Sequence, residues 1–207
     1  MKVFSINGRC IAAPPPPDWR MQLTQMLGAK PRRIGTWAEL GLYGALRCMA
    51  DAGEATLPED AILMLASRRG TYAATDLVLE QMREDLPMPI AFLQTQPSQL
   101  LALLAAQMQW KGHACFFACT EPHALLRLAA AQAGKGGVLL GWVDEMEGGS
   151  SNWLRLRCTD DPADNFAPAR TVEDIFVSEI SHIYISKDTL FIRSNCLNSI
   201  GSKREKC

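Results

Sequence analysis

The chain has 207 residues, a formal net charge of -1 and 21% charged residues, values that are ordinary for a globular protein. With almost no net charge, it has no general electrostatic attraction to nucleic acid or to a membrane surface. No stretch approaches the ~18 consecutive apolar residues of a membrane-spanning helix. Near the N-terminus, Ser5, Asn7, Gly8 and Arg9 interrupt the apolar core that a signal peptide would need. We therefore expect a cytoplasmic protein that binds neither nucleic acid nor membranes.

The cysteines are scattered, odd in number and mostly surrounded by apolar residues. They are Cys10, Cys48, Cys115, Cys119, Cys158, Cys196 and Cys207. This pattern favours reduced, partly buried thiols over a disulfide framework, as is usual in the cytosol.

The first elements are a strand, a connector and two helices. Val3–Ala13 has the composition of a strand or hairpin arm, and Pro14–Pro17 is a stiff polyproline connector. Asp18–Leu27 has the apolar spacing of a short helix. A second helix is predicted from Thr36 to a glycine stop at Gly53.

The second helix has a clear start signal and an unusual number of small residues. Thr36 and Glu39 have the spacing of a capping box, in which each side chain pairs with a free backbone N–H of the first turn. Small side chains would let a neighbouring element approach closely. They are Ala38, Gly41, Gly44 and Ala45.

The middle of the chain alternates predicted strands and helices. Apolar runs that are typical of strands covered on both faces occur at Ala61–Ala66, Met88–Leu93, His113–Cys119 and Gly137–Val143. Helical spacing occurs between them, at Thr71–Glu84 (with Leu77, Val78 and Met82 facing inward), Pro97–Trp110 and Pro122–Ala133. This alternation predicts an α/β fold, layered α/β/α, with a mixed, mostly parallel sheet. The most buried side chains are expected to be Leu65, Leu103, Phe117, Leu126 and Leu140.

We expect residues 1–150 to form the main domain and residues 151–207 to add an extra strand and an atypical tail. Asn152–Cys158 alternates strictly and places Trp153, Arg155 and Arg157 on one face of a strand. Thr159–Arg170 is predicted to be a loop.

Two strands are predicted in the tail, at Ile180–Ile185 and Thr189–Ile192, joined by a turn at Lys187-Asp188. Asn195–Cys207 is polar and is expected to be a frayed end.

The most informative stretch is the predicted strand, turn and helix at 88–110. Gln94, Thr95 and Gln96 form the turn, and Pro97 suits the first position of the helix. Such a turn lies at a helix N-terminus, where backbone N–H groups and the helix dipole favour negative charge. An enzyme would place a nucleophile there, but this turn contains no cysteine.

Two other groups of residues have the composition of a chemical site. His113, Cys115 and Cys119 share one face of a predicted strand, but core packing explains them better than a metal site, because a fourth ligand is missing. Asp144 and Glu145 (with Glu147 nearby) end a strand and have either an acid–base role or only a solvated position.

The histidines give no catalytic arrangement, because no third group orients a cysteine–histidine pair. Lys30, Arg32 and Arg33 form the one local basic cluster, which is either an ordinary solvated loop or a contact for an acidic partner. No metal or cofactor is expected.

The order and spacing of segments from Arg33 to Glu145 resembles the N-terminal half of β-ketoacyl synthases. The segments are RRIGTWAELGLYGALRCMADAG, AILMLASRRGTYAATDLVLEQM, PIAFLQTQPSQLLALLAAQMQWKG and GGVLLGWVDE. The match looks most like the short chain length factors of aryl-polyene and xanthomonadin-type pigment clusters. It covers about half to two thirds of the chain and implies a thiolase-like half-domain.

The resemblance also implies where catalysis would occur and why it is expected to be absent. Ketosynthases carry a cysteine at the turn into this helix, and counting back from Gly112 without gaps places that position within Gln94–Gln96. They also use two histidines from a second half-domain. This chain has neither. Chain length factors are similar in lacking the cysteine, and some carry glutamine there.

The resemblance therefore implies a non-catalytic accessory protein of fatty-acid or polyketide-type (aryl polyene) biosynthesis. Its partner would be a complete ketosynthase or a second copy, and Lys30, Arg32 and Arg33 would contact an acyl carrier protein. Two alternatives stay open: an acyltransferase or condensing enzyme that uses Cys115 or Cys119, and an inactive truncated ketosynthase.

The resemblance finally implies a dimer contact. In thiolase-like dimers, the strand before the nucleophile turn pairs with its counterpart across the dimer axis. The corresponding residues are Pro89, Ile90, Ala91, Phe92 and Leu93. Because proline cannot donate a ladder hydrogen bond, we expect this stretch to form a strand at the sheet edge.

Overall fold

The computed structural model describes residues 2–86, 89–120, 122–146, 148–160, 167–168, 176, 180–185 and 190–194. Its strands are β1 (Lys2–Ala12), β2 (Ile62–Ser67), β3 (His113–Ala118), β4 (Val138–Asp144), β5 (Ser150–Thr159), β6 (Ala167–Pro168), β7 (Ile180–Ile185) and β8 (Leu190–Ser194). Its helices are α1 (Trp19–Leu27), α2 (Thr36–Asp51), α3 (Tyr72–Arg83), α4 (Pro89–Gln94), α5 (Pro97–Gln107) and α6 (Pro122–Gln132).

All eight strands form one sheet in the order β3-β2-β4-β5-β1-β7-β8-β6. β2 is parallel to both β3 and β4, whereas β5 is antiparallel to both β4 and β1. It follows that β1 to β4 point in one direction and that only β5 is reversed among the first five strands. The predicted mixed, mostly parallel α/β sheet is therefore confirmed for this part of the chain, and β7, β8 and β6 extend it with antiparallel pairs.

Helices cover both faces of the sheet, as expected for α/β/α layers. One apolar core lies under α1, α2 and α5, with Trp37, Leu104 and Trp153 among its members. The other core lies under α6 and includes Leu126 and Leu140. Leu65, Leu126 and Leu140 are buried as predicted, whereas Leu103 and Phe117 are only half-buried.

The small residues of α2 allow the close packing that the sequence predicted. A Cβ atom built on Gly41 would overlap Cδ2 of Leu100 on α5. One built on Gly44 would overlap Oγ of Ser151 and lie 2.6 Å from Cδ1 of Trp153 on β5. α2 is therefore held between the sheet and α5, and most of its residues are buried.

The predicted capping box of α2 is wrong. Thr36 is the first helical residue, and no side chain caps the helix from Gly35. Glu39 instead pairs with Nε of Arg20 at 3.0 Å, and Thr36 Oγ1 accepts a hydrogen bond from Nη2 of the same arginine at 3.2 Å. A long-range partner on α1 has replaced the local cap.

The strand predicted at Met88–Leu93 is also wrong. Residues from Pro89 to Gln94 form the helix α4, and Met88 lies outside the described residues. The physical reason is that a short apolar run has no periodicity that distinguishes a strand from a helix. Proline is also accepted at the first residue of either element. Ala91 is buried, but Ile90, Phe92 and Leu93 are exposed. These residues therefore cannot be the edge strand of a dimer.

The inward face predicted for α3 also needs correction. No residue of this helix is fully buried, and Leu77 and Met82 are exposed. Only Val78 of the three predicted residues is half-buried. α3 packs mainly against α4.

The C-terminal strands agree with the sequence. β7 has the predicted bounds, and β8 runs two residues further than predicted, to Ser194. The expected loop 159–170 contains the two-residue strand β6, which pairs with β8. The predicted turn at Lys187-Asp188 and the frayed end at Asn195–Cys207 lie outside the described residues.

Candidate functional site: the carboxyl edge of the parallel strands

The carboxyl ends of β2, β3 and β4 meet at one edge of the sheet, because these three strands are adjacent and parallel. In α/β proteins, ligands bind at such an edge. Ser67 ends β2, Cys119 follows β3, and Asp144 ends β4. We call this group, with the turns that reach it, the carboxyl edge.

Asp144 accepts three hydrogen bonds at the carboxyl edge. Its Oδ1 accepts from Ser67 Oγ at 2.8 Å and from the backbone N–H of Arg68 at 3.0 Å. Its Oδ2 accepts from Nε1 of Trp142 at 2.8 Å. Ser67 Oγ in turn accepts from the backbone N–H of Gly70 at 2.8 Å. This carboxylate therefore fixes the turn that leads from β2 to α3.

Glu145 holds the start of α3. Its Oε1 accepts a hydrogen bond from the backbone N–H of Ala73 at 2.6 Å, in the first turn of the helix. Burial, more than the nearby charge of Asp144, raises the pKa of Glu145, and the bond from Ala73 opposes that shift. Asp144 and Glu145, the two candidate acid–base groups, are thus both engaged in hydrogen bonds that hold the turn after β2 and the start of α3.

The turn Gln94–Gln96 also reaches the carboxyl edge, although it joins two helices and follows no strand. The hydroxyl of Thr71, at the start of α3, donates to the backbone carbonyl of Thr95 at 2.8 Å. Thr95 Oγ1 donates to the carbonyl of Phe92 at 2.7 Å and accepts from Nε2 of Gln96 at 3.0 Å. Pro97 is the first residue of α5, as predicted.

The basic cluster lies beside this turn. Lys30, Arg32 and Arg33 are all exposed. The carbonyl of Arg33 accepts a hydrogen bond from Nε2 of Gln99 on α5 at 3.2 Å. A Cβ atom on Gly35 would lie 3.5 Å from Cβ of Gln94. The structure therefore brings together the two groups that the sequence connected with acyl chains and their carrier.

At the carboxyl edge, a strand that turns into a helix occurs at β3 and α6, close to the strand and helix predicted at His113–Cys119 and Pro122–Ala133. Cys119 directly follows β3, and its backbone N–H donates to the carbonyl of Ser67 at 3.1 Å. Pro122 begins α6, as the sequence predicts, and proline suits the first position of a helix. Cys119 is half-buried at the carboxyl edge.

The other histidine and cysteine candidates do not join Cys119. His113 is exposed at the opposite end of β3, about 20 Å away at ~3.3 Å per strand residue. Cys115 lies between them and is half-buried, and burial raises the pKa of its thiol. His182 is on β7, five strand positions from β3. Within the described parts of the chain, no three histidine, cysteine or acidic residues are grouped so as to hold a metal ion.

No disulfide joins the described cysteines. They are Cys10, Cys48, Cys115, Cys119 and Cys158. Where the structure describes helices, none is long and apolar enough to cross a membrane.

Two solved structures have a similar fold. The ishigamide ketosynthase/chain length factor matches with a TM-score of 0.54 and 11% sequence identity, over 77% of this chain and 59% of that chain. The chain thus spans less than two thirds of that protein. The ketosynthase ApeO in complex with its chain length factor ApeC, from Xenorhabdus doucetiae, matches with a TM-score of 0.54 and 13% identity, over 87% of each chain.

No protein-family model matches the sequence, and no curated protein sequence matches it. The likeness is therefore one of structure, at identities that establish the fold alone. It confirms, at that level, the resemblance seen in the segments between Arg33 and Glu145. The chain has the thiolase-like α/β fold of ketosynthases and chain length factors.

Proposed function

We propose that this protein is a non-catalytic accessory subunit, similar to a chain length factor, in fatty-acid or polyketide-type (aryl polyene) biosynthesis. It pairs in the cytoplasm with a complete ketosynthase and limits the length of the acyl chain. The fold supports this assignment because both similar structures contain a chain length factor. The lack of disulfides among the described cysteines supports the cytoplasmic location.

The proposal depends mainly on one observation, which is that polar side chains at the carboxyl edge are engaged in hydrogen bonds within the protein. Asp144 and Glu145 are bound to backbone and side-chain donors, and the Thr71 and Thr95 hydroxyls donate to carbonyls. Among the described side chains, no histidine lies at this edge to act as a base. Because these carboxylates and hydroxyls are already engaged in hydrogen bonds, the edge favours a structural role over acyl transfer.

The pairing surface in this proposal is β3, which replaces the strand predicted at Pro89–Leu93. In the described sheet, β3 pairs only with β2 and stands at one end of the strand order. An apolar strand with an unpaired edge invites a strand from another chain. Ala118 is exposed at the end of this strand.

The test is co-expression with a candidate ketosynthase, using proline to block the outer edge of β3. Because the N–H of Cys119 points toward β2, the alternation of a strand points the N–H of Ala118 away from β2. Ala118→Pro therefore removes an outward donor and leaves the inward ladder intact. We expect Ala118→Pro to reduce co-purification at least tenfold and the matched control Ala118→Ser to leave it unchanged.

Chain length is the second measurement. Adding the wild-type protein to the ketosynthase is expected to shift the length of the products, and Ala118→Pro is expected to abolish that shift. If the wild-type protein neither co-purifies with the ketosynthase nor changes its products, the accessory role is wrong. An inactive truncated ketosynthase would give that result.

One observation favours a second function, acyl transfer through Cys119. This cysteine lies at a strand–turn–helix, half-buried at the carboxyl edge, where a covalent acyl intermediate would form on a thiol. The purified protein alone would then be labelled by an acyl thioester or a cerulenin-type reagent. Cys119→Ser would abolish the label, whereas Cys115→Ser would keep it, and this result would reject the non-catalytic role.

A further inference from the structure

The helix α3 exposes an apolar stripe to solvent. Of the exposed large apolar side chains in the described structure, eight lie between residues 72 and 93. They are Tyr72, Leu77, Leu79, Met82, Leu86, Ile90, Phe92 and Leu93. A cluster of exposed large apolar side chains usually marks an interaction site.

The exposed residues of α3 have the spacing of a coiled-coil seam. Tyr72, Thr75, Leu79 and Met82 follow one another within α3 at intervals of three, four and three residues, and all are exposed. This 3-4-3 spacing places them along one side of the helix, in the positions that face a partner helix. We call this set the α3 seam.

The other face of α3 is already used. Ala74, Val78 and Gln81 are half-buried, and α3 packs against α4. The α3 seam is therefore a second apolar face, and no described element covers it.

The charges beside the seam identify the helix that fits it. Asp76 and Arg83 are seven residues apart, so they occupy the same flank of the seam. Both are exposed, and neither forms an ion pair with another described residue. In an antiparallel pair of identical helices, the residues on one flank of the first seam face the residues on the same flank of the second. A twofold axis near Leu79 would therefore place Asp76 opposite Arg83 of the other copy. The same contact is then made twice, as a twofold interface requires.

We propose that the α3 seam binds the α3 seam of a second copy of this chain, in an antiparallel helix pair with two reciprocal Asp76–Arg83 ion pairs. Antiparallel pairing also sets the dipole of each helix favourably against the other. A parallel pair would leave both charges without their opposite. The proposal does not depend on the accessory role, because β3 lies on a different element and stays available to a ketosynthase.

The test is self-association of the full chain without any ketosynthase, measured by analytical ultracentrifugation over a range of protein concentrations. Asp76→Arg and Arg83→Asp each place like charges at both contacts, and each is expected to weaken the dimer roughly tenfold or more at low salt. The double variant Asp76→Arg/Arg83→Asp exchanges the charges and is expected to restore wild-type association. An equal mixture of the two single variants should associate as well, since one copy is then basic at both positions and the other acidic.

Two further variants separate the apolar contact from loss of folding. Leu79→Lys is expected to give a monomer, whereas Leu77→Lys, which is off the seam, is expected to keep the dimer. Circular dichroism and the thermal midpoint establish that each variant is folded. A monomeric wild-type protein, or a dimer that is indifferent to the single charge changes, would overturn the proposal. The proposal would also be overturned if the seam variants remained dimers but no longer bound the ketosynthase, because the seam would then bind that partner instead.

Discussion

At the scale of single residues, the least expected feature is a buried arginine. The strict alternation of β5 predicts that Arg155 and Arg157 share a face with Trp153, but it does not predict how deeply each is buried. Arg155 is 0% exposed, and its Nε donates to Oε2 of Glu54 at 2.8 Å. Arg157 binds the other oxygen of Glu54 at 2.9 Å, and Nη2 of Arg155 has no partner among the described atoms. One carboxylate thus pairs with two guanidinium groups, so the three side chains together keep one positive charge.

Glu54→Gln is expected to destabilise the protein by about 3–5 kcal/mol, because it leaves the buried charge of Arg155 without a counter-ion. The matched control is Glu39→Gln. Glu39 pairs with Arg20, whose side chain is 56% exposed, so the loss there should be about 1 kcal/mol or less. Urea unfolding of both variants gives the comparison. Equal losses would mean that Arg155 finds another partner.

The pKa of Glu145 has a consequence that stability measurements can check. Burial raises this pKa above its ordinary value of 4.5, so the folded protein holds the proton more tightly than the unfolded chain does. The wild-type protein therefore loses stability at this residue as the pH rises above about 4.5. Glu145→Gln keeps an oxygen for the N–H of Ala73 and removes the titration.

We therefore expect the free energy of unfolding of Glu145→Gln, relative to wild type, to increase between pH 4 and pH 7. Urea unfolding at both pH values measures this difference. A variant that becomes less stable than wild type toward pH 7 would show that the carboxylate charge stabilises the start of α3.

At the scale of elements, the sequence predicted the buried strands well because each is an uninterrupted apolar run between clear turns. β2, β4 and β7 lie within a residue or two of the expected bounds. The same signal failed for α4, where a similar run forms a short helix. Periodicity cannot separate the two cases over six residues, and tertiary contacts decide between them.

That one error had a consequence for the site. Because the predicted strand ends at Leu93, the sequence places the nucleophile turn at Gln94–Gln96. It places Cys119 in a packed strand and offers it, with Cys115, only as the thiol of the alternative acyltransferase. The topology of the sheet, which no local pattern contains, is what brings Cys119, Ser67 and Asp144 to one edge.

Gly44 of α2 gives a prediction at this scale. Replacing glycine by alanine within a helix usually stabilises it by ~1 kcal/mol. In Gly44→Ala, however, the new Cβ would overlap Ser151 Oγ and approach Trp153 Cδ1 to 2.6 Å, within a buried contact between α2 and β5. We expect a net loss of about 1–3 kcal/mol from overpacking, measured by urea unfolding.

Gly41→Ala is the matched variant. Its new Cβ meets the end of the Leu100 side chain, which can rotate away, so the loss should be smaller than for Gly44→Ala. If Gly44→Ala were as stable as wild type, the close approach of α2 to β5 would be wrong.

At the scale of the whole molecule, the N-terminal strand joins the two parts of the sheet. β1 lies between β5 and β7, so residues 151–159 and 182–185 pair directly with the start of the chain. The parallel strands and their carboxyl edge lie at one end of this sheet, and the antiparallel tail lies at the other. Thr71, at the start of α3, binds the turn Gln94–Gln96, and Gly35, two residues after Arg33, lies against Gln94, so the basic cluster and the start of α3 are grouped beside the carboxyl edge.

This grouping supports a contact between an acyl carrier protein and Lys30, Arg32 and Arg33, which rests on the proposed accessory role. The three side chains are exposed beside the turn Gln94–Gln96, where a carrier would have to deliver its acyl chain. An acidic carrier surface should bind there by exposed charges, which salt screens over ~10 Å at 0.1 M.

The triple variant Lys30→Ala/Arg32→Ala/Arg33→Ala is expected to weaken carrier binding roughly tenfold at low salt, since each exposed ion pair contributes about 0.2–1 kcal/mol. The affinity of the variant should also depend less on salt than that of wild type. The control is Arg127→Ala/Lys135→Ala, which removes exposed charges on and after α6, on the opposite face of the sheet. Surface plasmon resonance with immobilised acyl carrier protein measures all three proteins across a salt series. Unchanged binding by the triple variant, or an equal loss in the control, would place the carrier elsewhere on the surface.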